Sequence, residues 1–151
     1  MTIWIASTNR DNWEIIKKNN IWGVPKRNKN SIERSEPKDI ILIFVRQENA
    51  DDTILPSAIT AAFEIASKPF EDQSEVFKKP PTMHGEENFP YRIKLKPVKI
   101  FKEELDFKTL ISNLEFISNK KQWTGHLRTA MRTIPEGDYE YIIKAAETPR
   151  G

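Results

Sequence analysis

The chain has 151 residues, of which 38% are apolar, and this is enough for one domain over residues 1–151 with a single hydrophobic core. It has no cysteine, which excludes disulfides, thiolate metal sites and cysteine nucleophiles, and its longest apolar run, IILIFV, is too short to span a bilayer. The net charge of +2 is small and the N-terminus lacks the pattern of a secretory signal, so we expect a soluble cytoplasmic protein.

The first half of the chain predicts strands separated by one clear helix. Residues 3–7 (IWIAS) form a short strand, and Asn9 or Asp11 caps a helix that ends near the Asn-Asn pair at 19–20. The β-branched and aromatic run within residues 38–47 predicts a buried strand. The alternation within residues 57–70 (SAITAAFEIASKPF) predicts a strand with one buried face.

The second half predicts one further strand and then helices. In residues 89–101 (FPYRIKLKPVKIF) basic residues alternate with apolar ones, and Pro97 limits the pairing to an edge or a bulge. Apolar spacing from Phe107 to Leu114 predicts a helix, and a second helix follows Pro135. We therefore expect an α+β protein with a mixed sheet that closes as a small barrel, with helices packed at its ends.

No catalytic or metal-binding motif is recognisable. Phosphate-binding glycine loops and nucleophile elbows are missing from the sequence, and the two histidines, His84 and His126, have no ligand-spaced partner. We expect no metal and no cofactor. The simplest interpretation is an exposed His84 and a structural His126.

Aromatic residues set among basic and amide residues are the most informative feature. Residues 17–34 hold six basic residues and one acidic residue, and residues 118–132 hold four basic residues and no acidic one. Each segment contains a tryptophan, Trp22 or Trp123, with glycine one or two positions later. From the residues alone, each indole either plugs a barrel end or lines a pocket beside cations. Trp4 and Trp13, within a predicted strand and helix, are more typical of a core.

Seven segments in order resemble the EVE domain family, a branch of the PUA-like superfamily related to the YTH domain. The similarity extends over nearly the whole chain, and the archaeal form of the family is the most similar. The matching segments are WIASTNRDNW, IWGVP, DIILIFV, ASKPFED, FPYRIKLKPVKIF, LEFISNKKQW and IPEGDYEYII.

The resemblance implies a PUA-like twisted barrel with a pocket for one nucleobase, often a modified one. A non-catalytic module that binds RNA or DNA is the expected function. By the resemblance, Trp22, Ser7 and Asn9 match pocket residues, and Trp123 and Phe70 are candidates for further walls. The expected contacts to the nucleic-acid backbone are Lys26, Arg27, Lys120, Lys121 and Arg128.

Two other functions remain open at this stage. The first is an enzyme or binder of the wider PUA-like group, resembling an ASCH domain, that acts on a free modified nucleoside. It would require a positioned acid, base or nucleophile in the pocket. The second is a protein-interaction scaffold that uses the same basic surface.

Overall fold

The computed structural model describes residues 1–77 and 88–147 as a mixed sheet with helices around it. The strands are β1 (Ile3–Thr8), β2 (Ile21–Val24), β3 (Ile40–Val45), β4 (Glu48–Ala50), β5 (Thr53–Leu55), β6 (Ala58–Ile65), β7 (Phe70–Glu71), β8 (Tyr91–Asp106) and β9 (Met131–Ile134). The helices are α1 (Arg10–Asn19), α2 (Lys29–Glu33) and α3 (Glu136–Glu147). Four short 3₁₀ segments lie at Lys26–Asn28, Phe107–Thr109, Ile111–Asn113 and Trp123–Leu127.

The main sheet has the strand order β2-β8-β6-β3-β1-β9, with β7 also pairing with β8. Strands β1 and β3 are parallel, and the chain between them passes through α1, β2 and α2. The other pairs of this sheet are antiparallel, and the sheet curls into a half-barrel. The predicted α+β class with a mixed sheet is confirmed, and the sheet forms a half-barrel where the sequence predicted a closed one, because β2 and β9 at its two edges do not pair. No helix among the described residues is long and apolar enough to cross a membrane.

Both faces of the central strands are covered, which explains their continuous apolar sequences. All six residues of β3 are buried, and neighbouring residues such as Ile41 and Leu42 belong to two different apolar clusters, because successive side chains point to opposite faces. The buried strand predicted here is confirmed. The strand predicted around β6 is confirmed, but its half-buried character is wrong. Thr60 and Ala62, on the face expected to meet water, are buried, and Ala62 belongs to the same apolar cluster as Leu42.

Strand β8 shows where alternation alone fails. Lys94 and Lys96 are exposed as the pattern predicts, whereas Arg92 on the same face is completely buried. The segments before and after residues 78–87 cover Arg92. Pro97 pairs with Phe63 beside a shift in the register between β6 and β8, so the predicted bulge is confirmed.

Of the two predicted C-terminal helices, only the second exists as an α-helix. Helix α3 begins directly after Pro135. From Phe107 to Leu114 the chain instead makes successive 3₁₀ turns with hydrogen bonds over three residues, from Leu110 N to Phe107 O at 2.9 Å and from Asn113 N to Leu110 O at 3.1 Å. The apolar spacing is compatible with either helix type, and packing against the sheet favours the tighter turns.

Candidate functional site

A cavity of about 330 Å³ opens at one end of the sheet, where β1 and β3 end and the chain enters β9. Parallel pairing brings the C-terminal ends of β1 and β3 to the same edge. The volume lies within the range of about 300–1,000 Å³ that is typical of small-ligand sites. Its lining residues are Ser7, Thr8, Asn9, Asn12, Trp22, Gly23, Pro25, Arg27, Arg46, Phe77, Phe89, Arg128, Thr129 and Ala130. We call this space the Trp22 cavity.

The junction of β1 and α1 places two polar residues on the cavity wall. The backbone N–H of Ser7 donates to Ala130 O at 2.9 Å, which ties the end of β1 to the segment before β9. Asn9 caps α1, because its Oδ1 accepts a hydrogen bond from Asn12 N at 2.8 Å. The cap uses one of the two lone pairs of the carboxamide oxygen of Asn9, and the side-chain nitrogen adds two N–H donors for a ligand.

Trp22 is both a core residue and a cavity wall. It lies on β2 opposite Ile93, is only 3% exposed and belongs to one of the two apolar clusters. Within the described part of the chain, its Nε1 has no hydrogen-bond partner, and neither does the Oγ of Ser7, which is 5% exposed. An unsatisfied buried polar group costs about 1–3 kcal/mol, and such groups in native proteins are rare. Both residues line the cavity, so these two atoms are candidates for hydrogen bonds to a ligand.

Two phenylalanines complete the aromatic part of the lining. The rings of Phe77 and Phe89 meet edge to face, with centroids 6.0 Å apart and an interplanar angle of 77°. Gly23 allows them to approach β2, because a Cβ at this position would lie 2.7 Å from Phe77 Cε2 and 2.9 Å from Phe89 O. Three aromatic rings, those of Trp22, Phe77 and Phe89, therefore share one cavity.

The buried guanidinium of Arg92 holds the two phenylalanine-bearing segments together. Its Nε donates to Phe89 O at 3.0 Å, its Nη2 donates to Asn88 O at 2.9 Å and to Ser74 O, and its Nη1 donates to Ser74 Oγ at 2.8 Å. It also lies 5.4 Å from the ring centroid of Phe77. Arg92 thus joins residues on both sides of the segment 78–87.

An acidic residue completes this arrangement. Asp72 Oδ2 lies 3.4 Å from Arg92 Nη1. The backbone N–H and then the hydroxyl of Ser74 lower the pKa of Asp72, and Arg92 adds to this effect. Burial lowers the pKa of Arg92, against an upward contribution from Asp72. The guanidinium remains charged at neutral pH because its ordinary pKa is so high.

Phe89 adopts a backbone conformation that bulky residues rarely use. Its φ angle is 50°, in the left-handed region, which costs of order 1–3 kcal/mol for a residue of this type. The hydrogen bond from Arg92 to Phe89 O helps to hold this geometry. Strain of this kind is concentrated at functional sites, and here it lies on a cavity wall.

The rim of the Trp22 cavity is basic. Arg27, Arg46 and Arg128 are exposed and line it, and none of the lining residues in the described chain is acidic. Although Arg46 is exposed as a residue, partial desolvation of its guanidinium beside the cavity lowers its pKa; Glu48 opposes this shift and Arg27 adds to it. Arg27 and Arg46 carry like charges and line the same cavity, so a bound anion would reduce their mutual repulsion.

A second pocket of about 580 Å³ adjoins the first. It is lined by Phe44, Arg46, Gln47, Ser57, Lys108, Trp123, Thr124, Leu127 and Arg128. Arg46 and Arg128 line both spaces. Trp123, which the sequence places as a wall of the base pocket, lies in this neighbouring space, and we call it the Trp123 pocket.

The remaining predicted site residues lie outside both spaces. Phe70 is on β7 opposite Arg92, half-buried at the sheet. Lys120 donates to Ile111 O at 3.1 Å and Leu114 O at 2.6 Å, and this holds a loop. Lys26 and Lys121 are exposed. The structure therefore brings together Ser7, Asn9, Trp22, Arg27 and Arg128 of the predicted set.

The histidines take no part in the lining that the structure describes. The Nε2 of His126 accepts a hydrogen bond from Asn119 N at 3.2 Å. His84 lies outside the described residues. Across residues 1–77 and 88–147, no group of three or more His, Asp or Glu side chains is placed to hold a metal.

Sequence reasoning missed Phe77, Phe89, Arg46 and Arg92. Arg46 had a usable signal, because it directly follows a buried strand at the edge where ligands often bind. The phenylalanines had none, since the amino-acid sequence between Phe77 and Phe89 shows no helical or strand periodicity that would mark either residue. The alternation along β8 places Arg92 on the exposed face with Lys94 and Lys96. Its burial depends on residues up to 20 positions earlier in the chain.

Comparison with known protein families gives one match over nearly the whole chain. The model of the EVE domain family matches residues 2–145. UPF0310 protein PH1033 of Pyrococcus horikoshii is 48% identical over 146 residues, covering 95% of this chain and 98% of that protein. UPF0310 protein PYRAB08750 of Pyrococcus abyssi is 43% identical, covering 94% and 97%.

Solved structures share the fold at low sequence identity. Human THYN1 protein in complex with 5-methylcytosine containing DNA superposes with a TM-score of 0.63 at 11% identity, covering 99% of this chain and 100% of that one. The Pho92 YTH domain in complex with m6A superposes with a TM-score of 0.65 at 12% identity, covering 98% and 87%. The expected PUA-like fold, related to YTH domains, is confirmed.

Proposed function

The chain belongs to the EVE domain family, and we propose that it is a non-catalytic nucleic-acid-binding module that captures one modified base in the Trp22 cavity. Two proteins with this fold, THYN1 and the Pho92 YTH domain, have been seen with 5-methylcytosine containing DNA and with m6A. Base capture in this chain rests on those relatives and on the make-up of its own cavity.

The observation that carries the proposal is the pair of buried polar atoms without partners, Trp22 Nε1 and Ser7 Oγ, beside aromatic rings. The indole N–H can only donate, and the hydroxyl can donate or accept. Together with the side-chain nitrogen of Asn9, they suit the carbonyl oxygens and ring nitrogens on the edge of a nucleobase.

The energetics favour a base that is already unpaired or carries an added methyl group. Removing a base from a duplex costs a few kcal/mol, and stacking on an aromatic side chain returns about 1–3 kcal/mol. A methyl group adds apolar area, and burial contributes about 25 cal/mol per Å². Phe77 and Phe89 supply apolar surface for such a group.

The rim supplies the phosphate contacts. Arg27, Arg46 and Arg128 surround the opening, and guanidinium groups bind phosphate in a bidentate manner. The described lining contains hydroxyl, amide, aromatic and guanidinium groups, but neither carboxylate nor imidazole. This composition supports binding over acid–base chemistry.

The decisive experiment is a binding panel of short single-stranded DNA and RNA oligonucleotides that differ in one central base. The panel contains cytosine, 5-methylcytosine, adenine and N6-methyladenine, and affinity is measured by fluorescence anisotropy. We expect at least one modified base to bind about tenfold more tightly than its unmodified form. Equal affinity for every modified and unmodified pair would contradict the proposal.

A matched pair of tryptophan variants identifies the site. Trp22→Phe keeps an aromatic wall but removes the indole N–H, and we expect a loss of about 3- to 10-fold for the preferred oligonucleotide. Trp13→Phe changes a tryptophan of the same apolar cluster that does not line the Trp22 cavity, so affinity is retained. Conversion of a free modified nucleoside by the wild-type protein, detected by chromatography, would instead support the ASCH-like enzyme.

A further inference from the structure

The Trp123 pocket adjoins the Trp22 cavity, and we propose that it is a second subsite, which holds the nucleotide next to the captured base. The phosphate that joins the two nucleotides would lie at Arg46 and Arg128. This inference rests on the proposed function, because it requires a nucleic-acid strand whose neighbouring base occupies the Trp22 cavity.

Two arginines are common to the Trp22 cavity and the Trp123 pocket. Arg46 and Arg128 line both spaces, so they lie on the boundary between them. Both are exposed, and no ion pair in the described residues includes either of them. Consecutive nucleotides are joined by a single phosphate, and cations on the boundary between two base sites meet that phosphate directly.

Trp123 supplies a stacking surface in the second pocket. Its ring is packed against Phe107, with centroids 5.3 Å apart, and against the edge of Phe44 at 6.4 Å. These contacts fix the ring, while the side chain remains only half-buried and lines the pocket. A rigid, partly exposed indole suits base stacking without strict selection among bases, because every base has a π-face.

Ser57 provides an independent indication of a ligand. It is 1% exposed and lines the Trp123 pocket, and its Oγ has no hydrogen-bond partner among the described residues. Its backbone carbonyl accepts from Phe107 N at 3.0 Å, which holds the residue in place. The other polar lining groups are the amide of Gln47, the hydroxyl of Thr124 and the ammonium of Lys108. This set can bind a base edge and its phosphate, and it includes no carboxylate.

The test uses oligonucleotides in which the base on the 5′ or the 3′ side of the preferred modified base is replaced by an abasic site. The backbone and its charge are unchanged, so only the neighbouring base is lost. With the wild-type protein we expect one of the two abasic oligonucleotides to bind about 5- to 100-fold more weakly than the intact strand. This comparison uses only the wild-type protein, so its result does not depend on whether a variant folds.

Protein variants locate the effect. Trp123→Ala should reduce the difference between the intact and abasic strands to less than about 2-fold, and Ser57→Ala should reduce it by a few fold. Gln122→Ala changes the exposed neighbour of Trp123, which lines neither space, and should leave the difference unchanged. The free modified nucleoside should bind Trp123→Ala and the wild type equally.

The two proposals fail in different ways. If both abasic strands bind as tightly as the intact strand while the modified base and Trp22 still determine affinity, the second subsite is wrong and base capture stands. An abasic effect that persists in Trp123→Ala also overturns the assignment to this pocket. If no modified base is preferred, base capture is wrong, and the second subsite is then wrong as well because it requires a captured base.

Discussion

The segments around Trp22 and Trp123 have nearly the same local sequence pattern but occupy different environments. Each indole is flanked by lysine and asparagine, with a glycine shortly after it. Trp22 lies on a strand and is buried, and Gly23 beside it is crowded by Phe77 and Phe89. Trp123 begins a 3₁₀ segment and is half-buried, and Gly125 has open space around it. The same pattern therefore yields a buried wall of the Trp22 cavity in one place and a half-buried wall of the Trp123 pocket in the other.

The difference comes from what covers each tryptophan. The segments tied together by Arg92 lie over β2 beside Trp22. Trp123 packs against Phe44 and Phe107 of the other apolar cluster and stays half-buried. A tryptophan in a basic segment thus indicates a candidate ligand contact. How far the side chain is buried depends on residues that are distant in the sequence.

The largest expected difference is in stability. Trp22→Ala removes a large buried side chain, so we expect the free energy of unfolding to fall by about 3–5 kcal/mol. Trp123→Ala removes a half-buried one and should cost about 1–2 kcal/mol. Urea unfolding followed by circular dichroism measures both. Equal losses would show that the two indoles contribute alike to the core.

Replacing Arg92 should loosen the Trp22 cavity and leave the Trp123 pocket intact. Arg92→Met leaves the carbonyl oxygens of Ser74, Asn88 and Phe89 without this donor, and we expect a loss of about 3 kcal/mol, because each unsatisfied acceptor costs about 1–3 kcal/mol. Amide hydrogen exchange should increase in residues 72–77 and at Asn88 and Phe89. Lys94→Met replaces an exposed residue of the same strand and should change the free energy of unfolding by no more than about 0.5 kcal/mol. Unchanged exchange in Arg92→Met would refute the positioning role.

The two glycines provide the next test. Gly23→Ala introduces a Cβ within 2.9 Å of the Phe89 carbonyl oxygen, and overpacking of this kind costs about 1–3 kcal/mol. Gly125→Ala meets no atom within 4 Å and should be neutral within about 0.5 kcal/mol. Thermal unfolding distinguishes the two variants, because a loss of 1 kcal/mol lowers the melting temperature of a chain of this length by about 2–4 °C. A neutral Gly23→Ala would mean that the phenylalanine segments can move away from β2.

The smallest effect concerns salt dependence. Arg27 lines the Trp22 cavity, and its sequence neighbour Lys26 does not. Arg27→Ala should reduce the slope of log affinity against log salt by about 0.7–0.9, the value for one phosphate contact, and Lys26→Ala should change it less. Titrations of the preferred oligonucleotide at several salt concentrations measure the slopes. Identical changes in both variants would point to general charge attraction instead of a defined contact.

Much of the fold was predictable because it depends on local patterns. The helix capped by Asn9, the buried strand at residues 40–45 and the helix after Pro135 all follow from capping residues, apolar runs and spacing. The errors at β6 and at residues 107–114 have one cause. The spacing of apolar residues does not predict whether other residues cover the second face of a strand, as they do at β6. It also does not distinguish an α-helix from 3₁₀ turns, as at residues 107–114.

For the candidate site, the order of amino acids was sufficient to single out Ser7, Asn9, Trp22, Arg27 and Arg128, which share one cavity in the structure. Family motifs and an unusual aromatic–basic setting are visible without coordinates. The separation of Trp123 into a neighbouring pocket and the contribution of Phe77, Phe89 and Arg46 were not visible. These depend on strand pairing and on hydrogen bonds from Arg92 to other segments, and such long-range contacts form only when the whole sheet is assembled.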